Sequence, residues 1–245
     1  MSLHVPWHKL RELNCSTIMP FSSLLNVLHQ TPLLEKSYLD ICGIGTDRLK
    51  PVTLPNLRSF VIILREVHPD TVIPFISALK VTELVIYSFD AWSADTYNTI
   101  KKQFKLNQLQ KLELYPSEQF PLYVTEVLKD VPMIHDLYLG GKSILDDETR
   151  ENITSGQLGR FLTYLTLYGC CDDKAKEWLD MVEARQKNAY ALLQTSTNWQ
   201  ERLTGLRWVK FCGVKNNAAY RKRLATSTAA LKLLGVDVIL RPQNI

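Results

Sequence analysis

Leu109-Gln110-Lys111-Leu112-Glu113-Leu114 places leucine at the first, fourth and sixth positions of a six-residue phrase. Its second half alternates as a strand does, so Leu112 and Leu114 share one face while Lys111, Glu113 and Tyr115 take the other. The phrase recurs along the chain. It stands at Leu10-Leu13-Cys15, Leu34-Ser37-Leu39, Leu57-Phe60-Ile62, Val81-Leu84-Ile86, Ile134-Leu137-Leu139, Leu162-Leu165-Leu167, Leu206-Val209-Phe211 and Leu233-Val236-Val238. The steps between first anchors are 24, 23, 24, 28, 25, 28, 44 and 27 residues. Without the step of 44 they average about 26, inside the range of leucine-rich repeats.

Between phrases the apolar period changes from 2 to 3.6. Helices are expected over Phe21–Leu28, Thr71–Leu79, Ala94–Phe104 and Leu122–Leu128. Pro32, Pro55 and Pro132 stand just before the next phrase, where proline closes a helix. Each unit therefore reads as strand, turn and return helix. The expected fold is α/β: a horseshoe solenoid of about nine repeats over residues 1–245, with a parallel sheet on the concave wall and helices on the convex wall. The 44-residue step holds a long helical pattern from Lys174 to Leu193 and a second short one from Trp199 to Leu203, and reads as one lengthened repeat at 162–205. A degenerate strand near Tyr190–Leu193 is the other reading of that step.

At 245 residues the chain buries enough surface to need no disulfide or metal staple. Charged residues are 22% and the net charge is +4, too mild to indicate nucleic acid. No apolar run approaches the roughly 20 residues of a spanning helix, and the first nine residues lack the apolar stretch of a secretion signal. Five cysteines, an odd number without CxxC spacing, suit an intracellular protein of the cytoplasm or nucleus with free thiols.

Pro6-Trp7-His8-Lys9-Leu10-Arg11-Glu12-Leu13, Leu39-Asp40-Ile41-Cys42 and Leu54-Pro55-Asn56-Leu57-Arg58-Ser59-Phe60 resemble the repeat region of fungal F-box/leucine-rich-repeat proteins. Cys42 and Cys170 each follow a first anchor by eight residues, a spacing that family often carries. In that family an N-terminal F-box joins the adaptor of a cullin ubiquitin ligase, and the repeats select the substrate. The resemblance implies a substrate-recognition module. Only nine residues precede Leu10 here, against about forty in an F-box, so the reading that stands beside it is a stand-alone scaffold or inhibitor. Little covers Leu10 at one end or Val236–Leu240 at the other, so the expectation is a piece of a longer protein or a chain that self-associates through an end.

Catalytic chemistry finds little support. Gly140-Gly141-Lys142-Ser143 ends like a phosphate-binding loop, but the glycine required five residues before Gly141 is Asp136. His135 and Asp136 fall on one strand and face opposite ways. No histidine shares a metal-ligand spacing with a cysteine, and Cys170-Cys171 are adjacent and face apart. No catalytic residue, metal ligand or cofactor is assigned, and a non-enzymatic module is expected. The basic run Tyr220-Arg221-Lys222-Arg223 reads as a solvated face.

The outward positions of the phrases are richer. Of 27 such sites six hold tyrosine, where the ten tyrosines of the chain give about one by chance. They are Tyr38, Tyr87, Tyr115, Tyr138, Tyr164 and Tyr168, and Trp208 makes a seventh aromatic. Tyrosine offers large contact area and a hydroxyl at small entropic cost, which suits recognition of a protein partner. It also favours strands and stacks on neighbours, so packing alone is the competing explanation. Glu12, Lys36, Asp40, Glu83, Lys111, Glu113, Asp136, Lys210 and Asp237 interleave with these rings, six acidic and three basic. That balance favours a protein with some positive charge over nucleic acid.

Overall fold

The computed structural model describes residues 6–90, 92–116, 121–140, 142–168, 175–195, 203–214 and 218–242. The chain packs as two compact units, residues 1–120 and 121–245. The first runs β1 (Glu12–Met19), α1 (Phe21–Leu28), β2 (Lys36–Cys42), β3 (Val52–Thr53), β4 (Ser59–Arg65), β5 (Ile76–Ser77), β6 (Glu83–Ser88), α2 (Ala94–Gln103) and β7 (Lys111–Tyr115). Its main sheet is parallel throughout, in the order β1-β2-β4-β6-β7. The second unit runs β8 (Pro121–Tyr123), α3 (Val124–Asp130), β9 (Asp136–Leu139), β10 (Lys142–Ile144), α4 (Asp147–Ser155), β11 (Tyr164–Leu167), α5 (Ala175–Thr195), β12 (Trp208–Val214), α6 (Ala218–Leu233) and β13 (Asp237–Pro242). Its main sheet, also parallel, is ordered β9-β11-β12-β13. Helices flank both sheets, and among the described residues no helix is long and apolar enough to cross a membrane.

The phrase positions become registers. In the first unit Phe60, Leu84 and Leu112 pair across β4, β6 and β7, followed by Ile62, Ile86 and Leu114. In the second, Leu137, Leu165 and Val209 form one row and Leu139, Leu167 and Phe211 the next. All twelve side chains are fully buried. Six strands dock by two successive amides on one carbonyl of the strand before, whereas β13 gives Arg207 O the Asp237 amide alone. Arg11 O accepts from the amides of Glu35 and Lys36 at 2.7 and 3.0 Å, and Glu35 O from Arg58 and Ser59 at 2.8 and 3.1 Å. Arg58 O and Thr82 O repeat the pattern, as do His135 O and Thr163 O in the second unit. The acceptor is always the residue after the first anchor.

Between strands the structure departs from the expected helices. Thr71–Leu79 forms two 3-10 turns, Pro69–Thr71 and Ile73–Phe75, and then β5. Pro74 withholds an amide from any helix there, and Val72 and Ile73 are β-branched beside it. Leu122–Leu128 divides into β8 and α3 after Pro121. No helix fills residues 43–58, where Gly43, Gly45, Pro51 and Pro55 leave only β3. The Tyr190–Leu193 segment is the last part of α5 rather than a strand. The short helix expected at Trp199–Leu203 lies mostly outside the described residues. The ninth phrase is displaced: Leu233 is 90% exposed at the end of α6, while Val236 is buried and Val238 and Leu240 pair with Val209 and Phe211.

The lengthened repeat is anchored by Arg185 of α5. Its guanidinium is fully buried and donates to the carbonyls of Ile153, Gly159 and Thr204 at 2.6, 2.7 and 2.8 Å, and to Arg160 O at 3.2 Å. Burial pushes its pKa down to about 10, so it stays charged at neutral pH. It supplies a second donor to carbonyls of the α4 C-terminus and the loop beyond: Ile153 O, Gly159 O and Arg160 O also accept the amides of Gly156, Leu162 and Thr204. Gly156 ends α4 with φ +79°, and a Cβ there would meet Leu203 Cδ1 at 2.5 Å.

Asp146 caps α4 by accepting from the Thr149 amide at 2.7 Å and from the Thr149 hydroxyl. Those bonds, the hydroxyl first, hold its carboxyl below the ordinary 3.8. Two predictions follow from this packing. Leu112→Ala and Leu137→Ala should each cost about 2–5 kcal/mol in denaturant unfolding. Asp146→Ala should lower stability by about 1 kcal/mol at neutral pH. The depressed folded pKa makes this contribution full above the unfolded value and lost as pH falls through the folded one. Melting curves of wild type and Asp146→Ala should therefore converge as pH drops below 3.8.

Candidate functional site

Residues that alternate with the buried rows lie on the opposite face of each sheet, and all seven aromatics expected there are half-buried. In the first unit Tyr38 stands in register with Val61, Val85 and Glu113. Tyr87 and Tyr115 pair across β6 and β7 and stack with centroids 4.0 Å apart and planes 11° from parallel. Both hydroxyls donate to Glu113 Oε2, at 3.3 and 3.2 Å. Lys111 Nζ lies 2.9 Å from the other carboxylate oxygen. Glu113 is 9% exposed, and the two phenols and the ammonium compensate the burial of its carboxylate. One strand away from β6, Arg65 grips Asp40 through Nε and a terminal nitrogen at 2.8 and 3.1 Å. The Asp40 bonds hold the guanidinium pKa above its ordinary value. Its carbon also sits 5.6 Å from the ring centre of Phe89, which is 67% exposed. Phe89 escaped the sequence reading because it lies beyond the end of β6, outside the phrase.

In the second unit the register gives a row Asp136, Tyr164, Trp208, Asp237 across β9, β11, β12 and β13. Two residues along, Tyr138, Thr166 and Lys210 form the next. The Trp208 ring lies 6.4 Å from Tyr164 and 6.5 Å from Tyr138, tilted by 51° and 46°. Lys210 Nζ sits 5.6 Å over the ring of Tyr168. Cys212 is buried beside them, and desolvation pushes its thiol pKa up. The expected set thus divides by unit. Tyr38, Tyr87 and Tyr115 belong to the first, and Tyr138, Tyr164, Tyr168 and Trp208 to the second.

Other clusters have structural employment. Ser93 and Thr96 donate to Asp70 at 2.6 and 2.7 Å, while His68 Nδ1 accepts the Asp70 amide at 3.3 Å. The serine is the N-cap of α2 and the histidine engages Asp70 instead of Ser93, so the group closes a helix end and forms no nucleophile–base pair. Lys142-Ser143 lies on β10, paired with β8, and not at a helix N-terminus. A groove of about 440 Å³ separates α4 from α5, and Arg150 pairs there with both Asp147 and Glu177. Among the described residues no three His, Cys, Asp or Glu side chains converge as a metal site would require. Gly141, Cys170 and Cys171 lie outside the described residues.

Comparison with known proteins finds no matching family model, no matching curated protein and no matching solved structure.

Proposed function

We propose that the chain is a leucine-rich-repeat solenoid whose sheet face binds a protein partner without catalysing a reaction. The observation that carries this reading is the outward row position and half-burial of all seven aromatics. Half-buried rings are held by their neighbours yet still present area, and their order is imposed before any partner arrives. Binding therefore costs little further entropy. Interleaved carboxylates and lysines supply charge for register and selectivity. We propose further that the partner is the substrate of an F-box-type ubiquitin-ligase receptor, of which this chain is the recognition part. That assignment rests on the fungal F-box/leucine-rich-repeat resemblance of Pro6–Leu13, Leu39–Cys42 and Leu54–Phe60. A stand-alone scaffold would share the face and lack the ligase.

The test is capture by the intact chain and by a Tyr115→Ala, Tyr138→Ala, Tyr164→Ala variant shown by circular dichroism to be folded. A partner anchored on these rings should be lost by about 2 kcal/mol or more, roughly thirtyfold in affinity. Unchanged affinity would move the site off the outward rings of both units. Recovery of a cullin adaptor with the full-length product would distinguish the receptor from the scaffold.

A further inference from the structure

We infer that the outer edge of β13 pairs antiparallel with the same edge of a second copy of the chain, about a two-fold axis through Ile239. Among the described residues β13 is hydrogen-bonded to β12 alone and stands outermost in its sheet. The Asp237 amide points toward β12, donating to Arg207 O at 2.9 Å. Alternate residues of a strand turn their N–H and C=O to opposite sides, so Val238 and Leu240 turn theirs to the outer edge. The side chains show the same want of a neighbour. Val238 extends the row Leu137, Leu165, Val209, and Leu240 the row Leu139, Leu167, Phe211. Those six are fully buried, whereas Val238 and Leu240 are half-buried and Ile239 is 37% exposed. A groove of about 500 Å³ between α6 and β13, lined by Ala225, Ala229, Val236 and Val238, shows that the helix does not close over the strand.

The sequence of the edge selects its partner. Asp237-Val238-Ile239-Leu240-Arg241 carries an acid at one end, a base at the other and apolar residues between. Run antiparallel to itself about Ile239, it sets Asp237 of each copy opposite Arg241 of the other, and both charged residues are exposed. Val238 of each copy then exchanges its amide and carbonyl with Leu240 of the other. The parity is the required one. The outward-bonding residues oppose one another, and the charge pairs fall at non-hydrogen-bonded positions, where side chains come closest. Centred on Val238, the pairing would set the acid opposite Ile239; centred on Leu240, it would set the base there. Val236 already donates to Leu231 O at 3.0 Å and Pro242 has no amide, so Val238 and Leu240 alone carry the ladder. Lys232 lines the groove with Asp237, and Asp237 is the one acid on the strand of Arg241. The edge of β1 is a poorer partner: in the register the strands keep, docking it on β13 would set Glu12 beside Asp237. So short an interface belongs to the weak, reversible class, half-associated at about 10–100 µM.

The experiment is sedimentation equilibrium of the intact chain over about 1–500 µM, a range that brackets such an affinity. A reversible dimer should appear and grow no further, because a two-fold contact closes on itself. Asp237→Arg and Arg241→Asp each set like charges opposite, and each should weaken self-association about tenfold. Mixed in equal amounts, the two variants should form a heterodimer as tight as the wild-type dimer, because both charge pairs are restored in it. The double swap Asp237→Arg, Arg241→Asp should self-associate like wild type, and it carries the test if circular dichroism shows a single variant unfolded. The Tyr115→Ala, Tyr138→Ala, Tyr164→Ala variant should dimerise unchanged, since the edge is distinct from the sheet face. A chain monomeric throughout, growth past the dimer, a mixture no tighter than its components, or loss of the dimer in the tyrosine variant would each overturn the inference.

Discussion

At six strand starts one backbone carbonyl accepts two successive amides of the next strand, and this sets where every other residue goes. Arg11, Glu35, Arg58 and Thr82 supply it in the first unit, His135 and Thr163 in the second. A parallel ladder side by side needs each strand to start at the same height, because a slip of one residue would turn the leucines outward and the tyrosines inward. The shared acceptor prevents that slip at the first residue of each strand. Connections of 23 residues and of 44 then deliver strands in the same register. The return segment varies freely between helix, 3-10 turn and short strand provided that it closes at this carbonyl.

That constraint explains what the sequence makes legible. Leu112, Leu114, Leu137 and Leu139 are readable as core because strand alternation is local and the ladder preserves it. The outward aromatics are readable for the same reason. Return segments are less so, since their form depends on what must be packed or capped. Pro74 breaks a pattern that otherwise reads as helical. α4 is only nine residues long and mostly polar, and what identifies it is the Asp146 cap rather than an apolar stripe. Leu233 scans as an anchor but ends α6, and β13 starts nearer Val236. Arg185 has no sequence signature: a lone arginine in an amphipathic helix reads as solvent-facing, and its carbonyl partners are 19 to 32 residues away.

The two sheets use one alternation to build different surfaces. In the first unit a buried carboxylate gathers two phenols and a lysine, so the aromatic pair is a fixed, internally satisfied block. In the second, Trp208 is tilted against both Tyr164 and Tyr138. Outward strand positions thus carry a stacked pair in one unit and tilted rings in the other, and the difference lies in which residue occupies the position beside the rings. Glu113 organises the first, and Trp208 spreads the second.

Amide hydrogen exchange measured residue by residue tests the shared-carbonyl ladder most directly. The amides of Lys36, Ser59, Glu83, Lys111 and Tyr164 each end on the carbonyl that their preceding residue also uses. They should exchange only through opening of their unit, orders of magnitude more slowly than amides of the 43–50 loop. Exchange of these strand-start amides at loop rates, with the strand centres still protected, would contradict the account.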